Sequence, residues 1–246
     1  AVTVSGADAS RIFHVGAAAV DAVAIDGVSV RDGYTSGDGA GILHDSGILT
    51  ITNAVIADSN ADDDGGGIAT YDTLTVVDSK IDGNSAGGTT GCGGIFVRGA
   101  TLAITGTVIS NNRATYDDGG GICTYWEDEV VSIVNSTISG NYAADDGGGL
   151  KLDGSTTVIS NTLIYSNEAA YDGGAMHVDY GSLVTIDGST LFGNLANDEG
   201  GALFSGSSSN QVTTRNSEFV TNTALAGGGG AFNTGALSVE NSTLYA

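Results

Sequence analysis

The sequence predicts an all-β solenoid: a parallel β-helix of about nine coils with roughly 27 residues in each, taken as right-handed by analogy. Three observations predict it. A Gly run closed by one apolar residue returns as SGDGAGI, ADDDGGGI, TTGCGGI, YDDGGGI, ADDGGGL, YDGGAM, NDEGGAL and LAGGGGAF. Its closing residues are Ile42, Ile68, Ile95, Ile122, Leu150, Met176, Leu203 and Phe232, at intervals of 26, 27, 27, 28, 26, 27 and 29. Second, each run is followed by a period-2 segment such as LTVVDSKIDGN (74–84) or VSIVNSTISGN (131–141), which reads as strand. Third, no coil carries ten residues of helical period, and a coil this size is too short for a strand–helix–strand unit of about 30 residues. Stacking at about 4.8 Å per coil would make a rod roughly 43 Å long.

Within a coil, the strand segment ends at one position held by Gly27, Asn53, Asp78, Gly106, Asn135, Asn161, Gly188, Asn216 and Asn241. All are residues that tolerate positive φ, so a tight left-handed bend is expected there. Three residues later an apolar side chain returns, at Val30, Ile56, Ile81, Ile109, Ile138, Ile164, Leu191, Phe219 and Leu244. Three further on stands a column of Gly33, Ser59, Asn84, Asn112, Asn141, Asn167, Asn194 and Asn222. Its six asparagines predict an amide ladder, each side chain bonding the coils above and below.

The unbroken period makes residues 1–246 one domain. Residues 1–22, where Ala17, Ala18 and Ala19 interrupt the pattern, are expected to form an N-terminal cap or first coil. Residues 237–246 read as an incomplete last coil. A start at Ala1 and a stop in mid-coil suggest either a piece of a longer surface protein or a subunit completed by another copy. No apolar run has the length of a membrane span.

A net charge of −22, from 7 Lys+Arg against 29 Asp+Glu, argues against nucleic acid and anionic membranes as partners. It fits a soluble extracellular protein, a high-salt environment, or a protein that binds cations. The carboxylates gather before the Gly runs, at Asp38, Asp62, Asp63, Asp64, Asp117, Asp118, Asp145, Asp146, Asp172, Asp198 and Glu199. Stacked about 4.8 Å apart, two such charges repel by roughly 3 kcal/mol at an effective dielectric near 20. A solvated acidic edge that starts tight turns accounts for them; Ca²⁺ held by Asp62, Asp63, Asp64, Asp117, Asp118, Asp145, Asp146, Asp172, Asp198 and Glu199 is the functional alternative. The calcium β-roll nonapeptide and the EF-hand loop are both missing.

Paired carboxylates such as Asp117/Asp118 or Asp145/Asp146 could also hydrolyse glycosides. Their membership of the repeat argues against this, so no catalytic residue is assigned and the chain is read as a non-enzyme. His14, His44 and His177 show no ligand spacing. Cys92 and Cys123 are offset by four positions in neighbouring coils, so separate thiols are expected unless a bend intervenes. The TYWEDE segment (124–129) carries Tyr125 and Trp126, either a staple over the coil or a surface contact for sugar or a neighbour. Asn135 and Asn241 match the glycosylation sequon but belong to the bend column. Thr residues form no continuous ice-binding face.

Paired with IDGN, ISGN, IYSN, LFGN and FVTN, the GGGI, GGAM, GGAL and GGAF tetrapeptides resemble the GGA-hydrophobic and FxxN motifs of polymorphic outer-membrane protein repeats and related pectate-lyase-like right-handed β-helix surface proteins. The Phe of FxxN is mostly Ile or Leu here. The resemblance implies a secreted or cell-surface β-helix with an adhesive or structural role. With the ends of the chain, it leads to an extracellular solenoid associating head to tail into a filament, with other copies and glycans as partners. The alternative is a carbohydrate-active hydrolase or lyase, for which a single cleft with converging carboxylates would be the mark.

Overall fold

Each coil folds into four short strands, and every strand pairs in parallel with its equivalent one coil on. The computed structural model describes residues 2–16, 22–125 and 128–245. Taken in coil order, the first sheet has nine strands, from Phe13–Gly16 to Ala231–Asn233, and the second has nine, from Ala22–Asp26 to Ala236–Glu240. The third has ten, from Val2–Ser5 to Thr243–Tyr245, and the fourth has eight two-residue strands, from Tyr34–Thr35 to Thr223–Ala224. No helix occurs among the described residues, and the β-solenoid of about nine turns and 27 residues per turn follows the sequence period. The Ala17–Ala19 interruption lies outside the described residues.

Three corners of every coil are left-handed. The bend between second and third sheets has φ from 46° to 65° at all nine residues of the Gly/Asn/Asp column. The bend between third and fourth sheets, which sequence reasoning passed over, falls on Asp32, Asp58, Gly83, Asn111, Gly140, Ser166, Gly193 and Thr221. The third precedes the first sheet, at Gly39, Gly65, Cys92, Gly119, Gly147, Gly173, Gly200 and Gly228. Glycine dominates this last column because the chain folds back on itself: a Cβ on Gly147 would lie 2.5 Å from the Leu150 carbonyl oxygen.

The interior is built of stacked side-chain columns, two of them from the second sheet, as Leu49 and Ile51, Leu74 and Val76, and Leu102 and Ile104 show. Ile42, Ile68, Ile95, Ile122, Leu150, Met176 and Leu203 stack from the first sheet, and Val30, Ile56, Ile81, Ile109, Ile138, Ile164, Leu191 and Phe219 from the third. Burying each aliphatic chain is worth roughly 1.5–3 kcal/mol. The fourth sheet contributes only methyls, at Ala61, Ala86, Ala114, Ala143, Ala169 and Ala196, where the coil narrows. One sequence expectation needs correcting here: Leu203 pairs with Ala231, and Phe232 pairs with Phe204 on the outer face. The extra glycine of LAGGGGAF shifted the apparent register by one, which in a strand moves a side chain to the opposite face.

Polar ladders run beside the core. Asn84, Asn112, Asn141, Asn167, Asn194 and Asn222 are buried, and each Nδ2 donates to the next Oδ1 at 2.8 to 3.0 Å. The same Oδ1 atoms accept the preceding coil's backbone N–H. A second ladder passes through Ser79, Thr107, Ser136, Thr162, Ser189, Ser217 and Ser242, whose hydroxyls accept the previous coil's N–H. Each hydroxyl donates to the carbonyl two residues back. Thus Asn135-Ser-Thr and Asn241-Ser-Thr each spell a bend followed by a hydroxyl rung.

Candidate functional site

The acidic residues before the first sheet do form a column, and it too is a ladder. Asp38 Oδ1 accepts the Asp64 N–H, Asp118 that of Asp146, Asp146 that of Asp172, and Asp172 that of Glu199, at 2.8 to 3.1 Å. Each rung spends one carboxylate oxygen on the backbone; the second oxygen of Asp38 accepts the Tyr71 hydroxyl, and those of Asp118 and Asp146 face Lys151. Asp63, Asp117 and Asp145 stand one residue earlier. Asp62 and Asp198 are exposed, and Asp62 accepts the Tyr34 hydroxyl at 2.7 Å.

The outer face of the first sheet breaks the repeat at one place. Its central column reads His14, Leu43, Ala69, Phe96, Cys123, Lys151, His177, Phe204 and Phe232. Lys151 is 6 % exposed; its Nζ lies 3.0 Å from Asp118 Oδ2 and 3.4 Å from Asp146 Oδ2. His177 Nδ1 stands 2.7 Å from the same Asp146 oxygen. An ionised Asp146 only accepts, so this ring nitrogen carries the proton. The His177 ring meets Phe204 in a T-shaped arrangement, with centroids 4.7 Å apart.

Burial opposes ionisation of Asp146, but the His177 hydrogen bond and charge and the Lys151 ammonium overcome it and hold the carboxyl at about 2. Asp117 goes the other way: burial first, then the charges of Asp118 and Asp145, push it up to about 7. Asp145 rises to about 6 through burial and the charges of Asp146 and Asp118. Acidic groups of opposite protonation therefore share one network. A cleft of about 170 Å³ opens beside it, lined by Thr90, Asp118, Tyr125, Lys151, Asp153 and Tyr180 among others.

Two triads have carboxylate oxygens within 4.8 Å of one another: Asp117, Asp118 and Asp145 here, and Asp38, Asp63 and Asp64 three coils earlier. Of the candidate metal residues, Asp63 and Asp64 fall in one triad and Asp117, Asp118 and Asp145 in the other. Asp172 serves as a ladder rung beyond the second, accepting the Glu199 N–H.

Cys92 and Cys123 are joined by a disulfide, with Cα atoms 5.5 Å apart, against the expectation of separate thiols. The chain between Cys92 and the strand that begins at Ile95 is not extended, because Gly93 and Gly94 bend it. Cys92 occupies the left-handed corner at φ 54°, and a side chain there turns over the outer face onto the next coil's Cys123. Tyr125 packs on Phe96 at 6.2 Å with Arg98 over its ring, so it staples the coil and lines the cleft at once. Trp126 lies outside the described residues. His44 is buried, with Nδ1 2.9 Å from Thr70 Oγ1. His14 pairs with Asp45.

Residues 91–244 match the family model for the right handed beta helix region, more than half of the chain. The chain belongs to that family. This assigns the right hand to the helix and places the Lys151 network within the matched stretch. No curated protein and no solved structure matches this right-handed β-helix.

Proposed function

We propose that this right-handed β-helix is part of an extracellular surface protein, a stiff adhesive rod that binds glycan over the outer face of its first sheet. The observation that carries the reading is the cleft at Lys151, where a buried ammonium between carboxylates sits beside the rings of Tyr125 and Tyr180. Aromatic faces with a few fixed polar groups suit a saccharide, whose rings are apolar on the faces and hydroxylated at the edges. The Cys92–Cys123 disulfide supports export, since such bonds persist in oxidising compartments. The likeness of the repeats to polymorphic outer-membrane protein repeats supports surface display. Head-to-tail association of copies belongs to the same reading, because a second rod in register would continue every parallel ladder; electron microscopy of the purified chain would reveal filaments or single rods.

A glycan array of neutral and uronate polysaccharides tests the adhesive role, with Tyr180→Ala as comparator. Retention of at least one polysaccharide, weakened about tenfold by the substitution, is expected. Absence of any retained glycan, or equal binding by the variant, would refute it.

A second reading, a polysaccharide hydrolase or lyase, is favoured by Asp117 and Asp146. A carboxyl protonated near neutrality in the same network as an ionised one is the division of labour that glycoside hydrolysis uses. New reducing ends or unsaturated products, abolished by Asp117→Asn, would move the role from adhesion to catalysis. Equal product from wild type and variant would remove this reading.

A further inference from the structure

The triad three coils before the Lys151 network differs from it in one respect. At the Asp118/Asp146 site, Lys151 supplies a positive charge from the outer face of the first sheet. The register-equivalent residues in the coils of Asp38 and Asp64 are Leu43 and Ala69, which supply none, and the Arg11 guanidinium nearby is spent on the backbone carbonyls of Asp38 and Gly39. Carboxylate oxygens of Asp38, Asp63 and Asp64 nonetheless lie within 4.8 Å of one another.

The second observation is Asp64 itself. It is only 8 % exposed, and its Oδ1 has no hydrogen-bond partner. Oδ2 is occupied by the Thr90 hydroxyl. The free oxygen points toward a space that Gly88 keeps open. A Cβ on Gly88 would collide with Asp64 Oδ1 and would lie 2.6 Å from Asp63 Oδ1, so both oxygens converge on one spot. Asp38 is fixed from two sides: Oδ1 by the Asp64 N–H at 3.1 Å and Oδ2 by the Tyr71 hydroxyl at 2.5 Å. An anionic oxygen buried without a partner is costly, and an oxygen-seeking cation is the natural remedy.

We propose that Asp38, Asp63 and Asp64 bind one hard divalent cation, preferentially calcium, at the turn leading into the first sheet. The donor set is all oxygen, which selects hard ions over zinc or copper. It is presented by two bends of the chain and open at Asp63, rather than closed as an octahedral cage, which suits the larger and more flexible shell of Ca²⁺ over Mg²⁺. Asp63 is exposed, so water completes the coordination from that side.

The test is titration of the metal-free full chain with Tb³⁺ and then Ca²⁺. Tyr71, hydrogen-bonded to a ligand, is positioned to sensitise terbium emission. Tyrosine-excited terbium luminescence displaced by calcium is expected, with calorimetric Ca²⁺ affinity falling about tenfold or more in Asp63→Asn and Asp64→Asn. Tyr71→Phe should dim the emission while leaving Ca²⁺ affinity within a few-fold of wild type, and Gly88→Ala should weaken binding. Asp117→Asn, at the other triad, should leave this binding intact. Asp63 is a surface residue, so its variant keeps the test valid if Asp64→Asn fails to fold. Absence of calcium binding, or binding unchanged in Asp63→Asn, would overturn the proposal, as would loss in Asp117→Asn alone.

Discussion

Asn141 serves three coils at once. Its Oδ1 accepts the backbone N–H and the side chain of Asn112, and its Nδ2 donates to Asn167 and to the Ile109 carbonyl. Truncation strands buried donors on both sides, so Asn141→Ala should cost about 1–3 kcal/mol, whereas Asn197→Ala, at an exposed position, should be nearly silent. Equal melting of the two variants would show that the ladder adds little to backbone pairing. This column was legible in the sequence because one residue type recurred in one slot. Lys151 was not: a lone lysine in a strand has no spacing to read. Its partners Asp118, Asp146 and His177 become neighbours only when three coils are stacked in register. The methyl column of the fourth sheet did leave a signal, the Asn-x-Ala of NSA, NRA, NYA, NEA, NLA and NTA, which went unread beside the larger asparagine.

At the scale of elements, corners matter more than strands. The bend column was read from residue type alone, and all nine members have positive φ. The corner holding Cys92 is hidden in the sequence because its coil has cysteine where the other seven have glycine. Residue type there gives no sign that the chain folds back. Reduction of the disulfide should lower stability by roughly 3–4 kcal/mol by the loop-entropy relation for a 31-residue separation. A melting point unchanged by reductant would contradict this. On the first sheet, Lys151→Met removes the ammonium from two carboxylates at 3.0 and 3.4 Å and should cost about 3 kcal/mol. The variant also separates roles: a merely structural lysine would change melting and leave glycan retention untouched.

For the whole molecule, the charge of −22 is unevenly distributed in its effects on stability. Asp117 and Asp145 have folded values near 7 and 6, above their ordinary 3.8, so the folded chain keeps protons that the unfolded chain has released. Their contribution is therefore lost as pH rises from about 4 toward 7. Asp146, near 2, acts oppositely: its contribution is present above 3.8 and vanishes as pH falls through that window toward 2. Thermal melts in cation-free, low-salt buffer should peak near pH 4–5, and a curve still climbing from pH 5 to 8 would contradict the assignment. The stacked design also bears on pulling. Each coil is bound only to its two neighbours, so force applied to the chain ends should peel coils one after another, each releasing about 90 Å of contour length. The Cys92–Cys123 bridge closes 31 residues into a loop that tension cannot open, withholding roughly 100 Å of extension until reductant is added. The solenoid is in that sense a spring with a built-in stop, set between its third and fourth glycine runs.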